Sequence, residues 1–181
     1  NPDVIITDVI RNHAKWRKNK TALVCGNQRL TWGEFNERIN RLANGLIKLG
    51  LQKGDKVSML TTNSIEMVEI IFGTVKAGGV IVPLSAMVPG DSLARMINNS
   101  DSKFLFVESK LIDEIAPHRS DLTNISSDKF FSVGSDTQGW NAYTDFIHEN
   151  SAAEVYVDMV YEDPFNIMYT SGTTGVPKGI L

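Results

Sequence analysis

Between Val57 and Val107 three short apolar runs, Val57-Ser58-Met59-Leu60, Val80-Ile81-Val82 and Lys103-Phe104-Leu105-Phe106-Val107, alternate with two segments of helical period. Ile65, Val68, Ile71, Phe72 and Val75 mark the inward stripe of the first helix. Leu93, Met96 and Ile97 mark that of the second, which Pro89-Gly90-Asp91 opens and which runs from Ser92 to about Asn99. Runs this short and apolar suit strands covered on both faces, and strands separated by helices pair in parallel through crossovers. Those crossovers are right-handed, so the pattern confines the chain to an α/β fold of parallel-sheet layers flanked by helices.

Upstream, Val4, Ile5, Val9, Ile10 and Ala14 predict an amphipathic helix ending near Trp16, with His13 as a surface or capping group. Thr21–Cys25 and Gln28–Trp32, separated by Gly26-Asn27, carry a hairpin signal. A helix is predicted from about Gly33 to Leu49, with Phe35, Ile39, Leu42, Ala43, Leu46 and Ile47 on one stripe and Gly50 as its stop. Lys53-Gly54-Asp55 reads as a turn, Asn63 as the cap of the next helix with Glu66 completing a capping box, and Glu69 as a solvent-facing carboxylate. Pro83 is expected to close its strand. Ser109–Glu154 has a weaker pattern, with a strand at Phe130–Val133 and a helix near Tyr143–His148; His118 and His148 take surface roles. Asp163-Pro164 then leads into a strand, Phe165–Tyr169.

Eighteen basic and 21 acidic side chains leave the 181-residue chain at −3, with no basic cluster of the kind that binds a nucleic acid. Arg11, Lys15, Arg17, Lys18 and Lys20 read as the solvated end of a helix rather than a membrane contact. The single cysteine, Cys25, has no partner for an intramolecular disulfide and suits a half-buried strand position in a reducing compartment. The most apolar run, Gly79–Leu84, is too short for a bilayer, and the first residues lack the blocks of a signal peptide. The expectation is a soluble, cytoplasmic protein with no transmembrane segment; homo-oligomerisation is left open.

Near the end of the chain, Tyr169-Thr170-Ser171-Gly172-Thr173-Thr174-Gly175-Val176-Pro177-Lys178-Gly179 concentrates small donors around one cation. Gly172 and Gly175 lack a Cβ, so backbone N–H groups there can approach an anion closely. The hydroxyls of Thr170, Ser171, Thr173 and Thr174 add rotatable donors, and Lys178 supplies a positive charge. Such a loop suits a polyphosphate. It is not a Walker A loop, because Lys178 sits between Pro177 and Gly179 rather than between Gly and Ser or Thr.

The string resembles the phosphate loop of the AMP-forming adenylating superfamily, which includes acyl-CoA synthetases, aryl-CoA ligases, luciferases and the adenylation domains of peptide synthetases. Leu30–Phe35 is similar to the family's first conserved block and Val75–Leu84 to its second, in the same order, so the resemblance covers nearly the whole chain. The first two blocks look structural: a helix start, and a glycine pair, Gly78-Gly79, that permits close helix-to-strand packing. The resemblance implies that a carboxylate attacks the α-phosphate of ATP, releasing pyrophosphate, and that the acyl-adenylate passes to coenzyme A. It further implies that Thr170, Ser171, Gly172, Thr173, Thr174 and Gly175 cradle the β- and γ-phosphates, that Lys178 acts on them as the catalytic cation, and that Thr173 associates with Mg²⁺.

Family members continue beyond such a loop through the adenine contacts, the hinge and a small C-terminal domain. The resemblance therefore implies that residues 1–181 are an N-terminal fragment of the large AMP-binding domain, without the small domain and inactive alone. A loop lacking downstream strands is expected to be loosely held or supported by a neighbouring chain. Val82-Pro83-Leu84-Ser85 looks more like acyl-CoA ligases, giving a small-molecule carboxylic acid, most simply a fatty acid, as substrate alongside ATP and CoA. The alternatives are an amino- or aryl-acid adenylating domain that loads a carrier protein, and a short noncatalytic nucleotide-binding module.

Overall fold

The computed structural model describes residues 5–170 and 178–180. Helix α1 (Ile6–Trp16) is followed by an antiparallel hairpin of β1 (Thr21–Cys25) and β2 (Gln28–Thr31). Gly26 takes a φ of 56° at the first central position of the two-residue turn, where only glycine is comfortable. Helix α2 (Trp32–Lys48) starts with a capping box: Glu34 N donates to Thr31 Oγ1 at 3.3 Å, and Thr31 N donates to the Glu34 carboxylate at 2.8 Å.

The alternating segment folds as expected, through β3 (Lys56–Leu60), α3 (Ile65–Lys76), β4 (Val80–Leu84), α4 (Gly90–Asn99) and β5 (Ser102–Glu108). After the short α5 (Ile112–Ile115) come β6 (Phe130–Val133), β7 (Asn141–Ala142) and α6 (Tyr143–Glu149). The five strands form one sheet in the order β4-β3-β5-β6-β7, with every neighbouring pair parallel. A final pair, β8 (Met168–Thr170) and β9 (Lys178–Ile180), is antiparallel.

Successive strand residues point to opposite faces, and each face has its own core. Val57, Met59, Phe104, Phe106 and Phe131 pack with Leu42, Leu46, Ile70 and Ile147 beneath α2, α3 and α6. Leu60, Val82, Leu105 and Val107 pack with Leu93, Ile97, Ile112 and Ile115 beneath α4 and α5. Fully burying a side chain of this size contributes about 1.5–3 kcal/mol. Helix α2 meets its neighbours at glycines: a Cβ at Gly73 would lie 2.5 Å from Leu42 Cδ2, and one at Gly45 2.4 Å from Phe146 Cζ. The Gly78-Gly79 pair also works as expected, since Gly78 turns the chain at φ 85° and a Cβ on Gly79 would lie 2.9 Å from Thr74 Cγ2.

Three expectations need correction. The cap of α3 is Ser64, whose hydroxyl accepts from Met67 N at 3.1 Å; Asn63 precedes it, and with the helix starting at Ile65, Glu66 is one position too early to complete a box. Glu69 is fully buried rather than solvent-facing, because α3 is covered by α2 and α6 as well as by the sheet. Pro83 does not close β4, which continues to Leu84.

Candidate functional site

Pro83 leads directly to the site. Ile81 N donates to Phe165 O at 3.2 Å and Ile167 N donates to Ile81 O at 2.9 Å, so the chain at Asn166 runs parallel to β4 on the side away from β3. Strand geometry aims residue 83 the same way as residue 81. Proline has no N–H, so β4 offers no donor there for the incoming strand, and the bridge at Asn166 stays isolated. The expected strand Phe165–Tyr169 is accordingly split, and only Met168–Thr170 forms β8, paired with β9 instead of β4.

In that hairpin Met168 opposes Ile180, Tyr169 opposes Gly179, and Thr170 opposes Lys178. The pairing brings together the two ends of the expected phosphate loop. Thr170 and Lys178 are both exposed; Ser171, Gly172, Thr173, Thr174 and Gly175 lie outside the described residues. Behind the hairpin, the half-buried Tyr169 hydroxyl lies 3.0 Å from Met96 O and 2.8 Å from Asn99 Oδ1, at the C-terminal end of α4. Burial raises the Tyr169 phenol above its ordinary range, which keeps it a neutral donor. A Cβ on Gly179 would stand 3.0 Å from Ile167 Cγ2 and 3.3 Å from Tyr169 Cζ, close enough that those side chains would have to shift by a few tenths of an ångström. Tyr169 and Asn99 carry no sequence signal of this contact, since nothing local pairs two residues 70 positions apart.

The remaining charged groups of note serve the scaffold. Strand order reverses between β3 and β5, a place where open α/β sheets often bind ligands, but here the crevice mouth is spanned internally. Thr62 N and Oγ1 donate to Glu108 Oε2 at 2.7 and 2.6 Å, and Lys110 Nζ lies 2.7 Å from Glu108 Oε1. Buried Glu69 faces Arg38 and accepts from Tyr143. Arg38 and Tyr143 line a cleft of about 410 Å³ together with Glu34, Glu37, Arg41 and Glu66, and neither Thr170 nor Lys178 lines it. Glu154 gathers Lys76, Arg11, Asn36 and Asn40, tying the crossing after α6 to three helices. Burial alone would raise the Glu154 carboxyl, but hydrogen bonds from Lys76, Asn36 and Asn40 outweigh it and hold the group at about 2. Among the described residues no group of three or more His, Cys, Asp or Glu is placed to hold a metal ion, and no helix is long and apolar enough to cross a membrane.

The family model for AMP-binding enzymes matches residues 10–181. The chain belongs to the AMP-binding enzyme family. It is 33% identical over 171 residues to a medium/long-chain-fatty-acid–CoA/3-oxocholest-4-en-26-oate–CoA ligase of Mycobacterium marinum, a match that covers 90% of this chain and 31% of the relative. It is 29% identical to the fatty acid–[acyl-carrier-protein] ligase ScoC of Streptomyces coeruleorubidus, over 93% of this chain and 31% of that protein. The anthranilate CoA ligase AuaEII, solved in complex with anthranoyl-AMP, superposes with a TM-score of 0.90 at 27% identity, over 96% of this chain and 33% of that one. This member of the AMP-binding family thus spans about a third of the length of these relatives, and its parallel sheet matches the N-terminal domain of adenylate-forming enzymes.

Proposed function

We propose that this chain is the N-terminal part of the large domain of an AMP-forming acyl-CoA synthetase that activates a fatty acid with ATP and transfers it to coenzyme A. The observation that carries the reading is the register of Thr170 against Lys178, which joins the ends of a donor-rich loop in a chain of the AMP-binding family. The similarity to a medium/long-chain-fatty-acid–CoA ligase supports the choice of acid and acceptor.

In this reading a carboxylate oxygen of the substrate attacks the α-phosphorus of ATP. The bond from the α-phosphorus to the bridging oxygen breaks, and its electron pair leaves with pyrophosphate. The nucleophile belongs to the substrate, so the protein's task is positioning and charge neutralisation. Thr170, Ser171, Thr173 and Thr174 donate hydroxyl hydrogen bonds to the β- and γ-phosphates, and Gly172 and Gly175 let backbone N–H groups close on them. Lys178 places its ammonium beside the pyrophosphate as its charge grows. The hard hydroxyl oxygen of Thr173 fits Mg²⁺, which would supply Lewis-acid stabilisation of the same phosphates. The sulfur of coenzyme A then bonds to the acyl carbon, the bond from that carbon to the phosphate oxygen breaks with its electron pair leaving on AMP, and the thiol proton passes to solvent.

ScoC gives a second reading a specific basis: transfer of the same acyl-adenylate to a carrier protein. Mass spectrometry of the full-length product of this reading frame, incubated with ATP, fatty, aryl or amino acids, and either CoA or a carrier protein, separates the two. Acyl-CoA from fatty acids is the expected product. Acyl-carrier without acyl-CoA would favour the second reading, and no adenylate from any acid would overturn both.

A further inference from the structure

Two short strands cannot hold a catalytic lysine in place unaided, because an isolated two-stranded hairpin is marginal in water. Among the described residues the β8–β9 pair is three residues on each side, and its backbone connection to the large sheet is the two-bond bridge at Asn166 that Pro83 cuts short. Side-chain contacts among the described residues add to that backbone connection. Tyr169 supplies them from the residue next to Thr170: its hydroxyl reaches Met96 O and Asn99 Oδ1 on α4, and its ring lies against Gly179, directly across the ladder and next to Lys178. Helix α4 is itself packed through Leu93, Met96 and Ile97 into the core of its face, so the contact ties the hairpin to a core-packed helix.

We infer that Tyr169 is a positioning residue for the acyl-activating reaction, clasping the end of α4 so that Thr170 and Lys178 stand in fixed register at the phosphates. The inference rests on the function proposed above. The phenol has one proton for two acceptors. If the Asn99 amide is turned over, its Nδ2 donates to the phenol oxygen while the phenol donates to Met96 O, which satisfies all three groups. Either way, Tyr169 and Asn99 act as one unit.

Tyr169→Phe keeps the ring and removes the clasp. In the full-length protein it is expected to lower kcat/KM for ATP in pyrophosphate exchange by about two- to twelvefold, the worth of one neutral hydrogen bond, with KM for the fatty acid unchanged. Asn99→Ala should lower it similarly, and the double variant should be no worse than Tyr169→Phe alone. Additive losses, or a Tyr169→Phe enzyme with wild-type kinetics for ATP, would overturn the inference. Amide hydrogen exchange gives a readout independent of the reaction: residues 168–170 and 178–180 should exchange faster in Tyr169→Phe, with β3 and β5 unchanged. If the wild type catalyses no exchange, the proposed function fails while the amide measurement still decides whether Tyr169 anchors the hairpin; unchanged protection would refute the anchoring.

Discussion

Tyr143 donates its phenolic proton to Glu69 at 2.8 Å, and neither side chain has meaningful access to water, at 3% and 0% exposure. Arg38 completes the group from α2, so a carboxylate from α3 is held by a cation from α2 and a hydroxyl from α6. The Tyr143 phenol is pushed well up, first by burial and then by the negative charge of Glu69, and stays protonated as the donor this arrangement needs.

Breaking such a group from one side is costly because the other partners remain buried. Tyr143→Phe leaves a carboxylate oxygen short of a donor and should lower unfolding free energy by about 1–2 kcal/mol. Glu69→Ala strands Arg38 and Tyr143 together; since Arg38 is partly solvated, the loss should sit near the lower end for a buried pair, about 3 kcal/mol. Urea denaturation measures both, and losses under half a kcal/mol would show that the group adds little.

Gly73 tests the packing of α2 on α3. Alanine is the better helix former by about 1 kcal/mol. Its Cβ, however, would stand 2.5 to 2.9 Å from Leu42 Cδ2, Cγ and Cβ, so the obstruction includes the root of the side chain as well as its tip. Overpacking costs about 1–3 kcal/mol, so Gly73→Ala should be net destabilising. A higher Tm for this variant would mean the two helices part without cost.

Glu154 should govern acid stability. Its carboxyl titrates at about 2 in the folded protein against an ordinary 4.5, so folding favours the charged form. The contribution is complete above pH 4.5 and is lost as pH falls from there towards 2. Thermal unfolding across this window should show wild-type Tm falling faster than that of Glu154→Gln, with the gap between them narrowing as pH drops. Parallel curves would rule out Glu154 as the responsible carboxylate.

The alternating strands and helices from β3 to β5 were legible in the sequence because short apolar runs and helical stripes are local signals; α5 and β7, in the weakly patterned stretch after Ser109, were not. Of the donor-rich loop, which stood out by residue types alone, the described residues show the pairing of Thr170 with Lys178. Burial of Glu69 was not legible, since it depends on Arg38 and Tyr143, 31 and 74 positions away. The cap of α3 was ambiguous because Asn63 and Ser64 are adjacent and equally suited, and only the backbone decides between them. Pro83 was legible as a strand breaker, but which strand it interrupts depends on Asn166 arriving on its open side. For the same reason the clasp of Tyr169 on α4 became visible only with the fold.

The central claim is that Lys178, held opposite Thr170, serves the phosphates of ATP. The direct measurement is fatty-acid-dependent ATP–pyrophosphate exchange by the full-length protein and its Lys178→Ala variant. A hydrogen bond to a charged group is worth about 1.5–3 kcal/mol, so the variant should lose about 10- to 150-fold in kcat/KM for ATP while its Tm is unchanged. Exchange at the wild-type rate in Lys178→Ala would contradict the account.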